Sequence, residues 1–79
     1  MNTFQIEYFA VLREHAGCAA EEYASRAATP AELYAELEER FAIPAIGTVR
    51  VAINDEFSDW DAALADGDRV VFIPPVAGG

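Results

Sequence analysis

Basic residues are scarce in this sequence: five lysines and arginines stand against fourteen acidic residues, a formal net charge of −9. That balance repels phosphate backbones and anionic lipid, which excludes nucleic acid and membrane surfaces as natural partners. The excess acid serves either solubility or steering toward a basic patch on a protein. Cysteine is nearly absent as well. Cys18 stands alone, so no internal disulfide can form, and this fits a reducing cytosol. No basic leader with an apolar run opens the sequence, and no stretch approaches the roughly 18 apolar residues of a membrane span. A cytoplasmic location is expected. Length is short too: 79 residues bury only roughly 60–65% of the surface that the unfolded chain exposes, enough for one core but not for an enclosed substrate cavity. An enzyme working alone is disfavoured. Apolar residues, at 53%, still suffice for a folded domain despite the charge.

What is present is ordered along the chain. Residues 3–10 alternate, with Phe4, Ile6 and Tyr8 on one face and Thr3, Gln5 and Glu7 on the other, which predicts a half-buried strand. Phe9 falls on the polar side, where a large aromatic is either covered by a local element, the commoner outcome, or left for a partner. Val11 to Gly17 reads as a two-turn helix closed by glycine, with Val11, Leu12 and Ala16 apolar. His15 on it reads as solvated, and Cys18 as a small packing residue without the basic neighbours that lower a thiol pKa. Residues 21–27 predict a weaker strand, forming a hairpin with the first.

Thr29-Pro30-Ala31-Glu32 has the pattern of a capping box with proline at the first helical position, so a long helix starts at residue 30. Leu33, Leu37 and Phe41 make its buried stripe, and Glu36 is spaced to pair with Arg40. The acidic cluster of this helix reads as a solvated face, since it offers no histidine or converging third ligand for a metal. Alternation resumes at 48–54 with Val49, Val51 and Ile53 inward. A turn at 54–56 leads to a short return strand at Phe57-Ser58, and Trp60 and Leu64 flank a short helical turn. Asp66-Gly67-Asp68 turns into Arg69-Val70-Val71-Phe72-Ile73, apolar enough for a central strand covered on both faces. The order predicts an α+β fold, a mixed sheet of about five strands on one main helix with short extra helices, in a single domain 1–79.

The last six residues, Pro74-Pro75-Val76-Ala77-Gly78-Gly79, carry the functional argument. Two prolines cannot donate to a sheet ladder and hold the chain extended, so the strand must stop there. Two glycines then remove every side chain, leaving a backbone able to enter a narrow slot. At roughly 3.3 Å per residue the arm reaches about 20 Å. Termini are often merely frayed, and a closing Gly-Gly arises by chance in roughly one chain in 200. The strand–Pro–Pro exit directly before it is what sets a presented tail against that reading.

Residues 9–17 (Phe-Ala-Val-Leu-Arg-Glu-His-Ala-Gly), 64–70 (Leu-Ala-Asp-Gly-Asp-Arg-Val) and 73–79 (Ile-Pro-Pro-Val-Ala-Gly-Gly) closely resemble the MoaD-like sulfur carriers, the small subunits of molybdopterin synthase, over nearly the whole chain. The resemblance implies a ubiquitin-like β-grasp fold. It also implies that the Gly79 carboxylate is converted to a glycyl adenylate by a ubiquitin-activating-type adenylyltransferase that consumes ATP. A sulfurtransferase then exchanges the adenylate for a terminal thiocarboxylate. That sulfur goes to a pyranopterin in the large subunit, two rounds building the dithiolene. Gly78 keeps the approach slim, and Phe9, Arg13, Phe72, Pro74, Pro75, Val76 and Ala77 are the expected contacts with the large subunit, in a heterotetramer, with ordinary core packing the alternative for Phe72. No bound cofactor or metal is expected, and the reacting groups belong to the partners. Rival readings are another Gly-Gly carrier serving thiazole synthesis, cysteine synthesis or tRNA thiolation, a ubiquitin-like protein modifier, and a passive interaction domain.

Overall fold

The computed structural model describes residues 1–43, 47 and 49–74. Strands β1 (Asn2–Tyr8), β2 (Ala20–Ser25), β3 (Arg50–Ile53), β4 (Glu56–Ser58) and β5 (Arg69–Ile73) form one sheet in the order β2-β1-β5-β3-β4. Helix α1 (Val11–Ala16) lies within the β1–β2 connection, and α2 (Pro30–Phe41) crosses between the two halves of the sheet. β1 and β5 run parallel, and every other pairing is antiparallel. This is the ubiquitin-like β-grasp arrangement, with the last strand at the centre.

The alternation of β1 becomes burial: Phe4, Ile6 and Tyr8 join Leu12, Leu33, Tyr34, Leu37, Val51, Val70 and Phe72 in one core. The helical stripe differs from expectation by one position. Tyr34 is fully enclosed whereas Phe41 is half-buried, because the sheet faces the Leu33–Tyr34–Leu37 side of α2. A second difference concerns β5. Both helices contribute to the core on the Val70 and Phe72 side, so the opposite face of the sheet carries neither. Val71 is nonetheless only 5% exposed. Its register places it between Glu7 and Ala52, whose strands flank it on that open face.

Three amides around the start of α2 find separate acceptors, two of them orphan amides of the helix itself. Thr29 Oγ1 accepts from the Glu32 amide at 3.3 Å, as a capping residue should. The Ala31 amide donates to the Trp60 carbonyl at 3.0 Å, and the Glu32 carboxylate takes the Ala28 amide at 2.9 Å instead of that of Thr29. The box is thus displaced by one residue. The loop carrying Trp60 is not helical; the Ala62 amide donates to the Asp59 carbonyl in a tight turn, and Trp60 and Leu64 pack on the core from there.

The expected Glu36–Arg40 pair is replaced by a wider network. Glu36 accepts from the Tyr23 hydroxyl at 3.0 Å and the Ser25 hydroxyl at 2.8 Å, while Arg40 reaches Glu21 at 3.0 Å. Glu21 in turn accepts from the Tyr8 hydroxyl at 2.6 Å. Side chains of β2 compete for both partners, and the edge strand is tied to α2 as a result. Ser25 also accepts the Ala27 amide at 2.9 Å, which ends β2 at Ser25, short of residue 27.

Candidate functional site

The geometry that matters begins at the end of β5. Phe72 pairs with Tyr8 on one side and Val51 on the other, and Ile73 with Arg50, so the chain leaves the sheet between its two central neighbours. Phe72 itself is wholly buried. Its ring meets Tyr34 at 5.1 Å and Trp60 at 5.9 Å, and Tyr34 also meets Trp60 at 5.4 Å. Burial, followed by the Glu38 charge, pushes the Tyr34 hydroxyl up to about 12.

Of the two readings of Phe72, a partner contact and ordinary core packing, its position favours the second. It displays no side-chain surface, because the core face of β5 is the face α2 covers. Pro74 is buried as well. Pro75, Val76, Ala77, Gly78 and Gly79 lie outside the described residues.

Phe9 and Arg13 are at the surface, at the same end of the sheet as the departure point. Phe9 is 47% exposed rather than covered. The chain turns sharply after it: Ala10 has φ 51, and the α1 helix then heads back so that Leu12, not Phe9, enters the core. Arg13 accompanies it on the outward side of α1.

The open face of the sheet supplies a feature the sequence reading missed. Register aligns Glu7, Val71, Ala52 and Phe57 in one row across four strands, with Ile73 and Arg50 in the next row toward the arm. Phe57 is 69% exposed. A hollow of about 230 Å³ lies between Phe9 and Phe57, floored by Ala52, Val71 and Ile73. Arg69 closes one side, pairing with Glu7 at 2.8 Å and with Asp55. The signal was available only through the β3–β4 turn. Asn54 and Asp55 both take positive φ in a two-residue turn, which sets Ser58 opposite Val51 and sends Phe57 to the other face. Among the described residues no cluster of His, Cys, Asp and Glu is placed to hold a metal. Nor is any helix long and apolar enough to cross a membrane.

β5 thus ends beside an uncovered apolar face. Residues 6–79 match the ThiS family. The chain belongs to the ThiS family. This ThiS-family chain is 35% identical to the molybdopterin synthase sulfur carrier subunit of Escherichia coli K12, over 95% of its own length and 98% of that protein's. Among solved structures it is similar to a putative molybdopterin converting factor subunit 1 from Pyrococcus furiosus, with TM-score 0.78 and 28% identity over 96% of this chain and 100% of that one. It is also similar to SAMP1 of Haloferax volcanii, with TM-score 0.79 and 25% identity over 99% and 100%. A third likeness is to a complex of subunits 1 and 2 of the Helicobacter pylori molybdopterin-converting factor, with TM-score 0.65 and 29% identity over 98% and 99%.

Proposed function

We propose that this ThiS-family chain is a sulfur carrier and the small subunit of a molybdopterin synthase. The observation that carries the reading is its end-to-end likeness to the Escherichia coli carrier subunit. The placement of β5 supports it, since the central strand leads directly into the Pro-Pro-Val-Ala-Gly-Gly segment.

The chemistry follows from the terminal group. A free α-carboxylate, with a pKa near 3.3–3.7, is ionised at neutral pH and is a poor acyl electrophile. In the proposed sequence an oxygen of the Gly79 carboxylate attacks the α-phosphorus of ATP on an activating enzyme, and pyrophosphate leaves. The persulfide of a sulfurtransferase then displaces AMP to give an acyl disulfide, and a thiol reductant cleaves its S–S bond, leaving a thiocarboxylate at the tip. The arm carries that sulfur into the large subunit, where it is transferred to the pyranopterin. Gly78 and Gly79 add no side chain to the approach, while Phe9, Arg13 and the open face meet the large subunit at the root. The small subunit supplies the sulfur-bearing atom and its partners supply the catalytic groups.

The likeness to SAMP1, a protein described as a small archaeal modifier, supports a second reading in which Gly79 is joined to a lysine of another protein. The deciding experiment mixes thiocarboxylated chain with the cognate large subunit and cyclic pyranopterin monophosphate. Dithiolene formation, with return of the chain to its carboxylate form, is the expected result. No transfer to the pyranopterin, or transfer only in a thiazole-forming system, would reject the molybdopterin assignment. Lysine-linked adducts would favour the modifier.

A further inference from the structure

Among the described residues two of the five arginines are engaged in ion pairs: Arg40 with Glu21, and Arg69 with Glu7 and Asp55. Arg50 makes no ion pair among the described residues. Its guanidinium lies 6.0 Å from the centroid of the exposed Phe57 ring. It sits on the open face in register with Ile73, the last residue of β5, so it stands beside the departure point of the arm. The exposed Phe57 ring therefore stands between two unlike surroundings. The apolar hollow on one side is lined by Glu7, Arg69 and Asp55, already paired and with one excess negative charge. On the other side Phe57 and Arg50 line a second hollow with Ser58, Asp59 and Ala62, where Asp59 is not within ion-pair distance of Arg50.

This asymmetry constrains whatever covers the face. Docking a protein over Phe57 strips water from Arg50, and a desolvated charge left without a counter-ion costs several kcal/mol. Arg69 imposes no such demand because its counter-ions come from its own chain. We propose that Arg50 is a specificity residue for the docking partner: its guanidinium receives a carboxylate of the partner protein, beside an apolar side chain seated between Phe9 and Phe57. The proposal rests on the reading above, in which that partner is the synthase large subunit. A second copy of this chain is a poor occupant, since each copy brings a formal charge of −9 to the contact.

The test measures binding of the full-length chain to the cognate large subunit by titration calorimetry at two salt concentrations. Truncating one member of a buried charge pair lowers affinity by about 30-fold or more, so Arg50→Gln is expected to lose at least that and Arg50→Glu more, while Arg50→Lys retains most of the affinity. Phe57→Ala is expected to cost about 30-fold, as an interface anchor does. Arg26→Gln, which removes the same charge from an exposed site outside the sheet face, leaves affinity within twofold. Thermal melts of the Arg50 variants that match the wild type show the fold is intact. Unchanged binding by Arg50→Gln overturns the assignment and leaves the small-subunit reading standing. Failure of the wild-type chain to bind the large subunit overturns both. A dimer in light scattering that Arg50→Glu dissociates also overturns it, by showing that a second copy covers the face.

Discussion

The rings of Trp60 and Phe72 lie stacked, their planes 10° apart and their centroids 5.9 Å apart. Phe72 is the fourth residue of β5 and Trp60 belongs to the loop that caps the start of α2, so this contact joins the strand leading to the arm with the main helix.

Phe72→Ala is accordingly a stability variant. Removing a fully enclosed phenylalanine costs about 3–5 kcal/mol, a large share of the stability of so small a domain. Urea denaturation is expected to show that loss as a lower midpoint with little change of slope. A stable Phe72→Ala variant that fails only in partner binding would show that the ring acts at an interface.

The network joining β2 to α2 depends on Glu36 more than on Arg40. Glu36→Ala leaves the Tyr23 and Ser25 hydroxyls without their acceptor, and Ser25 is only 3% exposed. A loss of about 1–3 kcal/mol is expected. Arg40→Ala breaks a more solvated pair and should cost less than about 1 kcal/mol by its charge alone, plus the contact over the Tyr23 and Phe41 rings. Denaturant melts of the two variants check the order.

Alkaline pH should weaken the fold through its tyrosines. Burial raises the hydroxyl pKa of Tyr8, reinforced by its hydrogen bond to Glu21, and burial also raises Tyr23 and Tyr34, the last to about 12. The folded state therefore holds these protons more tightly than the unfolded chain, whose tyrosines titrate near 10. Their contribution is complete below about pH 10 and is lost as pH rises toward and through the folded values. The denaturation midpoint should fall above that pH, and tyrosinate absorbance should appear together with unfolding. Free ionisation of all three tyrosines near pH 10 in the folded state would contradict this.

Two helix ends differ in a way that mutation can read. Gly17 closes α1 with φ 78, and Ala42 closes α2 with φ 53. A left-handed conformation costs a residue bearing a Cβ about 1 kcal/mol relative to glycine. Ala42→Gly is expected to raise stability by about 0.5–1 kcal/mol, and Gly17→Ala to lower it by a similar amount, both by chemical denaturation.

Much of this fold is legible in local sequence. The β1 alternation, the Thr29-Pro30 helix start, the Gly17 stop and the apolar run of β5 are local signals, and each local preference agrees with the tertiary environment. The misread positions depend on contacts between distant residues. Glu36 and Arg40 have the spacing of a pair, but Tyr23, Ser25 and Glu21 claim them across the β2–α2 contact. Phe57 looks like any strand aromatic until the two-residue turn fixes its register. The resemblance places Phe9 at the site, whereas its exposure comes from the backbone turn at Ala10. The same limit applied to Phe72, whose closeness to the arm in sequence concealed which face of β5 it occupies.

The most direct measurement is the intact mass of the chain after incubation with ATP, its activating enzyme and a sulfur source, with a Gly79 deletion alongside. The account predicts that the wild-type chain gains the mass difference of one oxygen replaced by sulfur, located by fragmentation at Gly79, and that the deletion variant, still folded, gains nothing. A wild-type mass that does not change, or sulfur found at Cys18 instead of the terminus, would contradict it.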